Sequence, residues 1–145
     1  SRLGDVKVGG IWSFSESSSD NTSKLSIFEG FFVNLQFKYK DVELSHFQSN
    51  VEGELVTKLQ DADTEFDGII LNAAAYTHTS IAIGDAVKGI MTAVVEVHIS
   101  NTFSREEFRH NSFISPAAKG VILGFGMQSY ELAIQSFLNT VEDEG

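Results

Sequence analysis

The residues of this chain that are best suited to chemistry lie between positions 72 and 109. They comprise an amide, two histidines, two acids with apolar neighbours, a hydroxyl and an arginine: Asn72, His78, His98, Asp85, Glu96, Ser100 and Arg109. A histidine can protonate a leaving hydroxyl, an amide or a hydroxyl can orient it, and an arginine can pair with a carboxylate. The combination favours acid–base chemistry on a small hydroxylated acid.

A predicted alternation of strands and helices positions these residues. Apolar runs and period-two alternation predict strands over residues 6–11 (interrupted at Gly9 and Gly10), 42–47, 68–71, 93–98 and 120–125. Two helices are predicted to begin at capping boxes, Ser26 with Glu29 and Ser49 with Glu52, and a third to begin near Thr79 and Ser80. Ser104 and Glu107 predict a short helical turn. An apolar stripe over residues 130–141 predicts the last helix. Residues 13–25 are predicted to form a loop or lid. Residues 1–145 are therefore predicted to form a single three-layer α/β domain, a parallel sheet with helices on both faces.

The candidate residues concentrate at one edge of this predicted sheet. Asn72 follows the third strand and His98 ends the fourth, and ligands of open α/β sheets bind outside the carboxyl ends of the strands. The helix that begins near Ser80 aims free backbone N–H groups at the same space. Glu96 and His98 lie two residues apart and so share one face of their strand.

Each candidate taken alone also has a structural explanation. Asn72 can be a turn residue, His78 can cap the backbone, and Arg109 can be a solvated surface residue. A buried Glu96 requires a partner, so it can form a purely structural bond to an arginine or a histidine. An unpaired carboxylate at Asp85, among apolar helix neighbours, would be expensive, and we expect it to meet a partner chain.

Composition excludes several classes of function. The 145 residues carry a net charge of −10, with a pI of about 4.7, which argues against binding to nucleic acid or to an anionic membrane surface. The chain has no cysteine and no apolar run long enough to span a bilayer, and its first residues lack the apolar core of a signal peptide. A cytoplasmic location is expected.

Motifs for metal, nucleotide and serine-hydrolase chemistry are missing from the sequence. The two histidines, His78 and His98, have no third ligand at useful spacing, so no metal site is predicted. The sequence VGGIWS after the first strand fits neither a P-loop nor a dinucleotide fingerprint, and there is no G-x-S-x-G elbow.

Five segments together resemble the type II 3-dehydroquinate dehydratases. They are FQSNVEGELV (47–56), NAAAYTHTSIAI (72–83), VVEVHISN (94–101), SREEFRHNSFIS (104–115) and GVILGFG (120–126), and the resemblance runs from about residue 27 to residue 138. It implies a flavodoxin-like fold, assembly into a dodecamer built as a tetramer of trimers, and the loss of water from 3-dehydroquinate to give 3-dehydroshikimate in the shikimate or quinate pathway. It also implies elimination through an enolate without metal or cofactor.

The resemblance assigns a role to each candidate residue. His98 would be the general acid that protonates the leaving hydroxyl, and Glu96 would hold it in orientation. Asn72 and His78 would bind ring hydroxyls. The substrate carboxylate would meet the backbone at Ile99 and Ser100 and the Ser100 hydroxyl, with Arg109 contributing to binding. Asp85 would reach into the site of a neighbouring subunit.

The N-terminal segment departs from the family pattern. The family carries N-G-P-N-L-N after the first strand, then a lid with an arginine and the tyrosine that removes the proton; here GGIWSFSESSSDNTS contains neither of the two. Trp12 cannot replace the tyrosine, since an indole N–H has no useful acidity. Three explanations stay open: a sequence error or frameshift at the N-terminus, a base supplied from elsewhere, or a catalytically impaired homologue that acts as a ligand-binding or assembly protein.

Overall fold

The computed structural model describes residues 6–13 and 21–143, and it contains one parallel sheet of five strands in the order β2-β1-β3-β4-β5. The strands are β1 (Val6–Trp12), β2 (Val42–Gln48), β3 (Gly68–Asn72), β4 (Val94–His98) and β5 (Gly120–Leu123). This order is that of the flavodoxin-like doubly wound sheets. The predicted three-layer α/β class and its five-stranded parallel sheet are confirmed.

Helices cover both faces of the sheet. They are α1 (Asn21–Lys38), α2 (Glu52–Ala62), α3 (Ile81–Gly89) and α4 (Gln128–Asp143), with short 3-10 turns at Ala74–His78, Thr102–Ser104, Glu107–His110 and Ser115–Ala117. Within the described residues, no helix is long and apolar enough to cross a membrane. The helices α1 and α4 pack on one face of the sheet, and α2 and α3 pack on the other.

The neighbouring interior strands β3 and β4 contribute to both cores because their side chains alternate between the faces. Ile70, Val95 and Val97 point toward α1 and α4, whereas Ile69 and Leu71 point toward α2 and α3. Every residue of these two strands is buried, which is why they occur as nearly continuous apolar runs in the sequence.

Several predicted boundaries were wrong. The strand β1 continues through Gly9 and Gly10, because both residues pair with β2 and β3. Ring atoms of Phe66 and Trp12 occupy the space that side chains at these positions would need. The helix α1 begins at Asn21 rather than after Ser26, so residues 21–25 of the predicted loop are helical, and residues 14–20 lie outside the described residues. The strand β5 ends at Leu123, two residues early.

Two predicted capping interactions do not form. The helix α2 has Val51 at its N-cap without a side-chain cap, because the Ser49 hydroxyl instead accepts from the Val51 N–H and donates to Glu54. The turn at Glu107–His110 also lacks a side-chain cap, and the Ser104 hydroxyl donates to the Asn101 carbonyl. The prediction for α3 is confirmed, since Ser80 caps that helix by accepting from the Ile83 N–H at 2.9 Å.

Replacing Gly84 with alanine is expected to lower the free energy of unfolding by about 1–3 kcal/mol, as overpacking usually does. A Cβ at Gly84 would lie 2.5 Å from the Phe113 carbonyl oxygen, so α3 and the segment around Phe113 would have to separate. Gly89 of the same helix is the control, because a Cβ there meets no atom within 4 Å. Denaturant unfolding of both variants checks this, and equal stability of the two would contradict the tight contact.

Candidate active site

The centre of the candidate site is the pair Glu96 and His98 at the carboxyl end of β4. Both side chains are buried on the α2–α3 side of the sheet, with 1% and 7% of their surface exposed, and His98 Nε2 lies 2.5 Å from Glu96 Oε2. An ionised carboxylate only accepts hydrogen bonds, so Nε2 carries a proton. Nδ1 is therefore the nitrogen of His98 that can exchange a proton with a ligand.

Glu96 is held from its other side by two serines on the segment that follows Arg109. Ser115 Oγ lies 2.6 Å from Glu96 Oε1, and Ser112 Oγ lies 3.1 Å from the same oxygen. Burial raises the pKa of Glu96, but the hydrogen bonds from His98, Ser115 and Ser112, with the charge of a protonated His98, leave it below its ordinary value. The Glu96 carboxylate is thus ionised and held in position to accept the hydrogen bond from His98 Nε2.

Asn72 ends β3, next to β4, and its amide points to the opposite side of the sheet, toward α4. Its Oδ1 accepts from the Ala74 N–H at 3.1 Å, and its Nδ2 donates to the Tyr130 hydroxyl at 2.8 Å. Ala74 has a φ of 53°, in the left-handed region that residues with a side chain seldom adopt. A strained turn therefore follows Asn72 directly, as is common beside functional groups.

His78 connects the turn after β3 with the histidine of β4. Its ring is half-buried and stacks on the His98 ring, with 6.1 Å between centroids. Nδ1 of His78 lies 2.7 Å from the carbonyl oxygen of Asn111, which can only accept, so Nδ1 carries the proton. Nε2 of His78 is then the nitrogen that remains for a ligand.

Ile99, Ser100 and Arg109 are the remaining residues of this chain that were predicted to bind the ligand. Ile99 and Ser100 follow His98 directly; Ile99 is exposed and Ser100 is half-buried. Arg109 is not a freely solvated residue: its Nε donates to Glu106 at 2.6 Å and its guanidinium lies over the Phe108 ring. The Phe108 ring in turn forms a T-shaped contact with the His78 ring.

Asp85 was predicted to have apolar surroundings, and this prediction was wrong. The apolar residues of α3, Ile83, Ala86 and Val87, lie on the buried side of the helix, whereas Asp85 lies on the exposed side. An ionised carboxylate is therefore tolerated there within this chain. A contact with a partner chain stays a prediction that this exposed position allows.

Three residues that bond to Glu96 or Asn72 were not predicted as site residues from the sequence: Ser112, Ser115 and Tyr130. The serines bond to Glu96 from 16 and 19 residues away along the chain, and Tyr130 bonds to Asn72 across 58 residues. Tyr130 was placed in the apolar stripe of the last helix. A buried tyrosine hydroxyl usually requires a polar partner, which was the one signal available.

Comparison with known proteins identifies the family of this chain. The family model for dehydroquinase class II matches residues 25–138. The 3-dehydroquinate dehydratase of Trichodesmium erythraeum is 52% identical over 104 residues, which cover 72% of this chain and 69% of that protein. That of Bacillus licheniformis is 52% identical over 98 residues, 68% of each chain. The crystal structure of the type II dehydroquinase from Butyrivibrio crossotus superposes with a TM-score of 0.81 at 34% identity, covering 92% of this chain and 97% of that one. The chain belongs to the class II dehydroquinase family.

Proposed function

We propose that this chain is a 3-dehydroquinate dehydratase, a lyase that eliminates water from 3-dehydroquinate through an enolate to give 3-dehydroshikimate. The single observation that carries the proposal is the buried His98–Glu96 pair at the carboxyl edge of the sheet, with His78 stacked on it and Asn72 on the adjacent strand. The assignment to the family supplies the substrate. We place the reaction in the shikimate pathway and the protein in the cytoplasm.

His98 acts as the general acid in this proposal. Its Nδ1 proton passes to the leaving hydroxyl while the bond between carbon and oxygen breaks, and water departs. The carboxylate of Glu96 fixes the ring and stabilises the imidazolium that must be present before the transfer. A base removes the proton alpha to the carbonyl to leave the enolate, and the electron pair of the enolate forms the double bond as the hydroxyl departs.

The remaining residues bind the anionic, hydroxylated ring. Asn72 and His78 Nε2 meet its hydroxyls, because each offers hydrogen-bonding capacity that its own contacts do not use. The backbone at Ile99 and Ser100 and the Ser100 hydroxyl receive the carboxylate. Arg109 contributes positive charge from the neighbouring segment, where Glu106 and Phe108 hold its guanidinium.

A trimer is the repeating unit of the assembly that we propose, and four trimers form a dodecamer. The exposed side of α3 supports it: Asp85, Ile81 and Lys88 border a groove whose other wall contains Phe113 and Pro116. Ile81 and Phe113 are large apolar residues exposed in the isolated chain, as expected of a surface that a second copy covers. Asp85 would enter the neighbour's site from this surface.

Turnover of 3-dehydroquinate tests the function directly. The product is a conjugated enone, so its ultraviolet absorbance should rise when substrate is added to the folded, assembled protein without metal or cofactor. A sample that is stabilised against heat by 3-dehydroquinate yet yields no product would favour the catalytically impaired homologue. A sample that neither binds nor converts it would contradict the proposal.

Replacing Asp85 with alanine is expected to raise KM about 10–100-fold, the effect of losing one hydrogen bond to a charged group. Asp61→Ala, which removes an exposed acid of α2, is the control and should leave KM unchanged.

Mixed assemblies of Asp85→Ala and His98→Ala subunits provide the decisive measurement. If Asp85 serves a neighbour's site, about a quarter of the sites in randomly mixed assemblies combine an intact His98 with an intact Asp85 from the neighbouring subunit, and these sites regain activity. No recovery after verified subunit exchange would refute the assignment between subunits.

A further inference from the structure

We infer that Tyr130 is a positioning residue, which fixes the side-chain amide of Asn72 in the orientation that ligand binding requires. Tyr130 lies on α4, far from Asn72 in sequence, and the two side chains meet below the carboxyl edge of the sheet at 2.8 Å. The effect on substrate turnover rests on the proposed function, whereas the bond itself does not.

The backbone fixes which end of the amide faces Tyr130. Oδ1 of Asn72 accepts from the Ala74 N–H, so the amide nitrogen must point the other way, toward α4. An amide nitrogen only donates, and the Tyr130 oxygen is therefore the acceptor. Without this acceptor, the amide would be held at one end alone.

Aromatic packing fixes the hydroxyl of Tyr130 in turn. Its side chain is fully buried, and its ring packs edge-on against Phe28 and Phe32, with 5.6 Å between centroids in each case, and against Trp12 at 6.2 Å. A ring so enclosed does not change rotamer readily. The oxygen that accepts the hydrogen bond from Asn72 is thus part of the rigid core on the α1–α4 side.

The two internal bonds leave Asn72 with a defined capacity for a ligand. An asparagine amide has two N–H donors and two acceptor lone pairs; Tyr130 uses one donor and Ala74 uses one lone pair. One donor and one lone pair remain. That pattern complements a hydroxyl group, which donates and accepts at once.

Tyr130 serves this purpose as a neutral group. Burial raises its pKa far above the ordinary value, and the bond from Asn72 offsets only part of that rise. It therefore stays protonated and is unsuited to removing the substrate proton. Its function is to receive a hydrogen bond, and phenylalanine would remove that function while keeping the ring.

The expected result for Tyr130→Phe is a fall in kcat/KM for 3-dehydroquinate of about 5–100-fold, the loss associated with one unsatisfied buried polar group. Tyr39→Phe is the matched control, because that hydroxyl also bonds to side chains, Glu131 and Gln135, but away from the site. In an Asn72→Ala background, Tyr130→Phe should cause no further loss. Equal losses in both backgrounds would overturn the inference, since a merely structural role is additive.

A substrate-free measurement separates this inference from the proposed function. In protein labelled with ¹⁵N-asparagine, the Asn72 side-chain N–H signals, identified by their absence in Asn72→Asp, should include one proton protected from exchange with solvent. Protection in the wild-type protein is the primary readout, and the variants serve to assign the signal and to test its origin. Protection should vanish in Tyr130→Phe and persist in Tyr39→Phe. An unprotected wild-type amide would refute the positioning role whether or not the protein turns over 3-dehydroquinate.

Discussion

Replacing His98 with alanine is expected to lower kcat for 3-dehydroquinate by about 10²–10⁴-fold, the usual contribution of a general acid. The imidazole is buried at the end of β4, and its Nδ1 is the nitrogen that Glu96 leaves available. Alanine removes the proton donor without disturbing the strand pairing, which depends on backbone groups. The initial rate of enone formation, followed by ultraviolet absorbance, measures the loss.

A second histidine provides the control for this result. His110 lies in the same region, is exposed and packs against the ring of Phe103. His110→Ala should retain the wild-type kcat, and both variants should keep the wild-type assembly mass. If His98→Ala keeps its turnover while assembled, the acid is another group and the proposed mechanism is wrong.

Chain patterning alone predicted the relative placement of Asn72, Glu96 and His98. The apolar runs of β3 and β4 and the rule that ligands bind at the carboxyl ends of parallel strands placed Asn72 and His98 at one edge. The two-residue spacing of Glu96 and His98 placed them on one face, and the structure brings them within hydrogen-bonding distance. Both features follow from local periodicity, which a sequence records directly.

Other features depend on contacts that periodicity does not record. A serine–glutamate spacing predicted a cap at Ser49, but the hydroxyl bonds to Glu54 instead, because a local capping motif is only one of several partners available. Gly9 and Gly10, which favoured an interrupted strand, pair with β2 on one side and β3 on the other, so sheet pairing overrides their low strand propensity. The bond between Tyr130 and Asn72 spans 58 residues, and its local signal is limited to a hydroxyl within the apolar stripe of the last helix.

Replacing Glu96 with glutamine is expected to lower kcat by up to about 10⁴-fold, the fall seen when the carboxylate of a catalytic carboxylate–histidine pair becomes an amide. Ser115 and Ser112 donate to the Glu96 oxygens, so the glutamine oxygen would face them and its nitrogen would face His98. An amide nitrogen opposite Nε2–H places two donors together and disfavours the imidazolium. Ser115→Ala, which keeps both the charge and the bond to His98, is the control and should retain kcat within about tenfold.

The pH dependence of stability tests the same carboxylate independently of turnover. The pKa of Glu96 in the folded chain lies below its ordinary value of 4.5, because the bonds from His98, Ser115 and Ser112 outweigh its burial. A group with a lowered folded pKa stabilises the fold above its unfolded pKa, and that contribution is lost as the pH falls through the folded pKa. The difference in unfolding free energy between wild type and Glu96→Gln should therefore be largest near neutral pH and shrink below about pH 4. A difference independent of pH would mean that the ionised carboxylate does not stabilise the site, and its hold on His98 would then need another source.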